Sequence, residues 1–497
     1  MARIVKNIPL MDLMSFLLES VESPKHVGAL QIYEPVNGSS AEIVARVLQD
    51  YRASDVAPPF NYVPVFPTFG MPKWAECDDY DPHYHVRQAA LPKPGTLSQL
   101  IDLVTDLHAG IMDRSHPGYI AYIIEGLEDH RFAIYWKMHH AYIDGASAVM
   151  RFDAAMSKTA EELPALPLWA PLLESSGEQN SAALSQRLGD AGKVLNVQAR
   201  AMREVALELG KATLRAGGMA PKRRAPLPFS APKSVFNQPV HATRRLGIGS
   251  LDLAPFKTFS RKHSVSINEV ALTIVGAALE RYAHEFGTPP ERPLVAVCPM
   301  GIRQEGDTSA STQIAAISVK LGEPGAAISE RLQQVHASSI DAKEDAKAMS
   351  REALMNYLVL IGGLADLLDR SPLAGYVPPL TNVNVSNVAG PSDPYYLSGA
   401  KLLQNYPVST LAGGAAINIT FISMAGRMDY AIISDAKAIP HAQKIADYMA
   451  DAFNELSPKR SQTRRKKTAT RKAGVRKAVA GKSVKSRPKT RVKVTEN

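Results

Sequence analysis

The sequence predicts an α/β protein of two mixed halves followed by a charged tail, on three observations. Short strand-like runs interleave with runs of helical period over residues 1–157 and again over 241–457. Between them the composition of 158–240 shifts, with Pro164, Pro167 and Pro171 near one end and Pro221, Pro226, Pro228, Pro232 and Pro239 near the other, which reads as a connector. The 497 residues also exceed the size at which a single core stops growing, so about two domains are expected.

In the first half, His26 to Tyr33 reads as a strand, Ala41 to Tyr51 as a helix with Ile43, Val44, Val47 and Leu48 on one face, and Leu97 to Met112 as another helix. Tyr119 to Glu125 and Arg131 to His139 are rich in aromatic and β-branched residues. They flank a turn region at Gly126 to His130, which predicts a hairpin, and a helix is expected to begin near Gly145. In the connector, Leu184, Leu188, Ala191, Leu195, Met202, Val205, Leu209 and Ala212 recur at helical spacings opposite Lys193, Arg200, Arg203 and Lys211. That amphipathic helix packs on the protein's own surface or docks on a membrane surface. In the second half, helical patterns at Val265 to His284, Ile328 to Lys347 and His441 to Leu456 accompany strand-like runs at Leu294 to Cys298, Ile314 to Leu321, Thr381 to Asn387, Ala416 to Ile422 and Met428 to Ile433. The halves show no visible sequence repeat.

Two cysteines, Cys77 and Cys298, offer no disulfide framework and read as lone buried thiols in a reducing compartment. The first residues lack the apolar core of a signal peptide, and the longest apolar run, Val270 to Leu279, is far shorter than the roughly 18 residues of a membrane span. Of the net charge of +9, the segment from Pro458 onward holds +15, sixteen Lys and Arg against Glu496, which leaves −6 elsewhere. This run, without aromatics or a strong apolar stripe, is expected to be disordered. It would bind anionic lipid head groups or nucleic acid electrostatically, or serve as a solvated tail.

The chemistry-bearing signal is His139-His140-Ala141-Tyr142-Ile143-Asp144-Gly145, where a strand ends and a helix begins. If the strand stays extended to its end, His139 and His140 point to opposite faces and only one lines a given cavity. A neutral imidazole can take a proton from an alcohol and return it to a leaving thiolate. In isolation the same residues also read as satisfied structural histidines or as part of a metal cluster. His83 and His85 would join the cluster, yet no Cys or carboxylate set with ligand spacing accompanies them, and no metal is expected. Gly145-Ala146-Ser147-Ala148-Val149 begins like a nucleophile elbow but lacks the closing glycine, so Ser147 reads as a helix residue. Phosphate-binding loops and dinucleotide fingerprints are missing.

The seven residues from His139 resemble the His-His-x-x-x-Asp-Gly motif shared by peptide-synthetase condensation domains and bacterial bifunctional wax ester synthase/diacylglycerol acyltransferases. Further segments are similar to the second family: Pro9-Leu10-Met11-Asp12, Pro24-Lys25-His26-Val27-Gly28-Ala29-Leu30, Leu91-Pro92-Lys93-Pro94-Gly95, Asp113-Arg114-Ser115, Ile124-Glu125-Gly126 and Ser266-Ile267-Asn268-Glu269-Val270. So are Ser386-Asn387-Val388-Ala389-Gly390-Pro391, Gly399-Ala400-Lys401-Leu402 and Ile417-Asn418-Ile419-Thr420.

The resemblance implies two domains like chloramphenicol acetyltransferase with a central tunnel. It also implies fatty acyl-CoA as co-substrate with no bound cofactor, and a long-chain alcohol or diacylglycerol as acceptor. His140 would be the general base, with His139, Asp144 and Gly145 completing the motif and Asp144 holding its loop. Asn268 would be a polar contact of the active-site region, and Ser386, Asn387, Gly390 and Pro391 would lie beside the cleft. The expected location is cytoplasmic, peripheral to the inner membrane face or lipid inclusions. Three departures stand out: Asn268-Glu269 for the family's Asn-Asp, Asn387-Val388-Ala389-Gly390-Pro391 for Asn-Val-Pro-Gly-Pro, and Pro117-Gly118-Tyr119 for Pro-Leu-Trp. The last lies in a region expected to shape the acyl pocket. Two competing expectations are an amide-forming condensation enzyme, which lacks its usual carrier modules here, and a largely non-catalytic tether of lipid inclusions to nucleic acid.

Overall fold

The computed structural model describes residues 3–161, 164–172, 184–219, 223–301, 314–369, 371–411 and 414–456. The basic segment from Pro458 onward and the side chains of the connector helix before 197 lie outside the described residues.

The N-terminal half begins with β1 (Ile4–Asn7), α1 (Leu10–Leu17), β2 (His26–Pro35) and α2 (Ser40–Ala53), followed by β3 (Tyr62–Val65), β4 (Lys73–Glu76), α3 (Pro82–His85) and β5 (Val86–Ala90). It ends with α4 (Leu97–Ala109), β6 (Tyr119–Glu125), β7 (Phe132–His139) and α5 (Gly145–Ala155). Local chemistry sets several boundaries. Ser39 with Glu42 and Thr96 with Gln99 form capping boxes that satisfy the first amides of α2 and α4. Buried Lys137 donates to the carbonyls of Leu107 (2.7 Å) and Gly110, placing a cation at the carbonyl end of α4.

The connector contributes α6 (Leu184–Ala216). The C-terminal half holds β8 (Arg244–Asp252), α7 (Leu253–His263), α8 (Ile267–Phe286), β9 (Val295–Gly301), β10 (Ile314–Lys320), α9 (Ile328–Lys347) and α10 (Arg351–Asp369). After these come β11 (Val383–Ala389), β12 (Tyr396–Leu397), β13 (Ala400–Val408), β14 (Ile417–Met424), β15 (Arg427–Asp435) and α11 (Ala442–Leu456).

Two six-stranded mixed sheets form the two domains, ordered β12-β13-β2-β7-β6-β5 and β10-β9-β11-β14-β15-β8; β1, β4 and β3 make a small third sheet. The first sheet is completed by the C-terminal half, because β13 crosses over to pair antiparallel with β2 from Ala400↔Pro35 to Val408↔Gly28. Composition gave no sign of this exchange. Each sheet buries a core of its own, and a third apolar cluster joins the halves, with Leu30, Ile120 and Ile124 of the first sheet against Leu246, Ile248 and Ile433 of the second. Each such fully buried side chain contributes about 1.5–3 kcal/mol. No helix among the described residues is long and apolar enough to cross a membrane. Cys298 is buried, as expected, whereas Cys77 is half-exposed.

Candidate active site

Strand β7 is buried along its whole length between β2 and β6, and this rigid placement fixes the motif at its end. His139 is the last strand residue and turns inward. Its ring stacks on Phe16 with centroids 4.2 Å apart, and its Nδ1 accepts the Ala141 amide at 3.2 Å. Burial, reinforced by His140 and Arg114, pushes its pKa down to about 3, so the ring stays neutral. Glu19 stands 3.6 Å from its Nε2, beyond hydrogen-bond length, and pairs instead with Arg114 at 2.9 Å.

His140 turns the other way. Its amide donates to the Lys25 carbonyl (2.9 Å), and its half-buried ring lines a cavity of about 300 Å³. Facing it there are Asp12, Met14, Ser15 and Leu18 from the α1 region, Lys25, then Leu358, Val359, Gly362, Gly363 and Asp366 of α10, with Thr381, Asn384 and Thr410. Burial lowers the His140 pKa; a hydrogen bond to its own carbonyl and the Asp144 charge oppose this, and Lys25 adds to it. With its pKa lowered, the ring is neutral near pH 7 and able to accept a proton.

Asp144 is the N-cap of α5. Its Oδ1 accepts the Ser147 amide at 2.7 Å and its carbonyl accepts the Ala148 amide at 2.8 Å. The side chain is buried, and its negative charge acts on two neighbours, raising His140 and, after burial itself, raising Asp12 to about 6. Ser147 lies within α5. Gly145 abuts β11, since a Cβ there would meet Val388 Cγ2 at 3.7 Å.

The other expected site residues fall into different places. Ser386 and Asn387 are half-buried on β11, where Ser386 shares a strand face with the cavity-lining Asn384. Gly390 serves a close approach: its amide donates to Ser423 (2.8 Å), and a Cβ would stand 2.8 Å from that same carbonyl. The Pro391 carbonyl accepts the Ala425 amide at 3.0 Å. Asn268 sits half-buried in the first turn of α8, outside the residues lining the His140 cavity. Its neighbour Glu269 closes the capping box with Ser266 and accepts from His336 and Lys343, each at 2.8 Å. Pro117-Gly118-Tyr119 is not part of the cavity lining either; it backs the motif turn. A Cβ on Gly118 would meet the Tyr142 ring at 2.7 Å and His139 Cβ at 2.9 Å.

Sequence reasoning missed Asp12, Lys25, Asp366, Thr381, Asn384 and Thr410 as cavity residues. A period-two reading of β11 extended back from Ser386 reaches Asn384, so that signal was available. Lys25 and Asp366 approach to 3.7 Å, both largely buried, and join the two halves at the cavity. Thr410 Oγ1 donates to the Pro24 carbonyl (2.7 Å) and its own carbonyl accepts from Asn418 (2.9 Å), which ties the Asn418 segment to the same seam.

This fold recurs in known proteins. Residues 9–271 match the wax ester synthase/diacylglycerol acyltransferase catalytic domain, and residues 311–457 match the C-terminal domain of the same family. A probable diacylglycerol O-acyltransferase of Mycobacterium tuberculosis H37Rv, tgs2, is 31% identical over 454 residues, 90% of this chain and 97% of that protein. Another from the same organism, Tgs4, is 30% identical over 459 residues, 91% of this chain and 96% of that one. The solved wax ester synthase/diacylglycerol acyltransferase of Marinobacter aquaeolei VT8 superposes with a TM-score of 0.70 at 28% identity, covering 91% of this chain and 98% of its own. The first condensation domain of the calcium-dependent antibiotic synthetase shares the fold alone, with a TM-score of 0.54 at 13% identity over 91% of this chain and 95% of its own. The chain therefore belongs to the wax ester synthase/diacylglycerol acyltransferase family, the acyl-CoA-dependent O-acyltransferases that make wax esters or triacylglycerol.

Proposed function

We propose that His140 is the general base that esterifies a long-chain alcohol or diacylglycerol with a fatty acyl-CoA. One observation carries the assignment: of the two adjacent histidines, His140 lines the cavity while His139 is stacked against Phe16 in the interior. The hydroxyl proton passes to the His140 imidazole as the acceptor oxygen attacks the thioester carbonyl. The tetrahedral intermediate then expels the CoA thiolate, which takes the proton back from the imidazolium, so the histidine ends as it began. No acyl-enzyme is needed. Asp144 holds the turn by capping α5 and favours the imidazolium through its charge. Asn384 places an amide in the cavity wall beside the polar parts of the substrates, whereas Thr381 and Thr410 donate their hydroxyl protons to main-chain carbonyls and shape the wall.

In this reading the enzyme works at the cytoplasmic face of a membrane or on a lipid inclusion. The basic C-terminal segment would be held there by anionic head groups, and the connector helix would be a second contact. The test of the activity is direct: purified protein receives labelled fatty acyl-CoA with a long-chain alcohol or with diacylglycerol, and the products are separated. Labelled ester is expected with at least one acceptor; its absence with both overturns the reading.

A further inference from the structure

The α10 wall of the His140 cavity has a second side. Val297, Leu358, Gly362 and Leu380 line that cavity and also a neighbouring pocket of about 140 Å³. The pocket runs between α10, α9, β10 and the connector helix α6; its lining is mostly apolar, with Ala212, Ala342, Ala346 and Met349, and also includes the charged Arg215 and Asp345 with Glu208. An apolar cavity of roughly this size, about 150 Å³, is enough to hold benzene and to stay dry. Where the two spaces adjoin, α10 is at its thinnest, since a Cβ on Gly362 or Gly363 would find no heavy atom within 4 Å.

The outer side is fixed by the connector. Ala201 and Val205 of α6 pack on Ala353 of α10 with Leu209, Met349 and Tyr357 around them. Arg215 then pairs with Asp345 of α9 at 3.3 Å, and Arg223 pairs with Asp345 at 3.2 Å and Glu344 at 2.9 Å. Val205, Leu209 and Ala212 of the amphipathic stripe read from the connector sequence thus face this wall and its pocket, whereas Met202 is exposed. Hydrocarbon that extends from a reacting group at His140 toward Leu358, Gly362 and Leu380 reaches the residues that also line this pocket.

We propose that the pocket under α6 receives the alkyl chain of a lipid substrate, an inference that rests on His140 marking the reacting centre. The alanines at 212, 342 and 346 leave the volume, so bulk at these positions shortens the chain that fits. Either the acyl chain or the chain of the acceptor supplies that hydrocarbon, and the test separates the two.

Binding is measured first, with cis-parinaric acid as a fluorescent straight-chain probe. Wild-type protein and His140→Ala are expected to bind it, and Ala346→Phe and Ala212→Trp to bind at least about tenfold more weakly, since one methylene too many in an apolar pocket costs about 10–200-fold. Ala346 is buried in the last turn of α9, so Ala212→Trp, on the half-buried face of α6, keeps the test open if the first variant does not fold. Wild-type affinity in the folded variants, or no binding by wild type, overturns the proposal.

The ratio of kcat/KM for long over short chains is then compared in an acyl-CoA series and in an alcohol series. A tenfold fall in the acyl-CoA series assigns the pocket to the thioester, a fall in the alcohol series assigns it to the acceptor, and an unchanged ratio in both overturns the proposal. Should wild type make no ester at all, the His140 reading fails, while the binding result still decides on the pocket.

Discussion

Asp144 acts on its surroundings in two ways, and two substitutions separate them. Asp144→Ala removes the oxygen that accepts the Ser147 amide, a loss of about 0.5–2 kcal/mol of stability, readable by thermal melting. Asp144→Asn keeps an acceptor there but removes the charge that raises the His140 pKa. The acid limb of the kcat/KM profile should therefore move to lower pH with little change in melting temperature; a fixed limb with a lowered Tm would contradict this. Asp12 offers a second test of the same electrostatics. Its pKa is raised from 3.8 to about 6 by burial and by Asp144, so the folded state holds a proton that the unfolded chain releases. Stability from this group is present below about pH 4 and is lost as pH rises through about 6. Asp12→Asn should raise Tm more at pH 8 than at pH 4, and an equal effect at both would refute the assignment. At this scale the sequence was informative about the histidines in part: His139 and His140 do face different ways, although β7 ends at His139 and His140 already belongs to the turn that follows. It was silent on Asp12, whose role comes from a helix folded back on the motif from the start of the chain.

The α8–α9 contact makes an energetic statement of its own. Burial would push the Glu269 carboxyl up, but Lys343, the Ser266 amide and His336 outweigh it and hold the group at about 2. A carboxylate depressed in the folded state stabilises it above about pH 4.5, and the contribution is lost as pH falls through about 2. Glu269→Gln should keep the capping box yet cost roughly 2–3 kcal/mol at pH 7, with much less difference near pH 2, as urea titrations at the two pH values would show. Elements with a strong local pattern were legible: β6, β7 and α9 are nearly the runs read from aromatic content and periodicity. Two were not. Helix α10 is not among the helical runs read from the sequence, and the Gly362-Gly363 pair inside it, which weakens a helical pattern, sits where the helix borders a cavity. In β13 an irregularity between Leu402 and Gln404 breaks the alternation, and its partner β2 lies in the other half of the chain.

Across the whole molecule, the two-domain pattern was readable because each half carries its own α/β alternation. The strand exchange was hidden because pairing between distant segments leaves no local trace. The basic segment from Pro458 starts where the C-terminal family match ends at residue 457. Its deletion should leave turnover on dispersed substrates intact. It should also abolish the low-salt sedimentation with anionic vesicles that high salt reverses, since each Lys or Arg near such a surface contributes about 1 kcal/mol. Equal sedimentation of both forms would refute the lipid role, and retardation of DNA alone would move the segment to nucleic acid. The central claim, that His140 and not His139 moves the proton, is tested by paired kinetics and melting. His140→Ala should lower kcat by about 10²–10⁴ with Tm nearly unchanged, because the ring lines a cavity. His139→Ala should cost about 1–3 kcal/mol of stability, because the ring is packed on Phe16, while folded enzyme retains far more activity. Wild-type turnover in folded His140→Ala, or the greater catalytic loss in His139→Ala, would contradict the account.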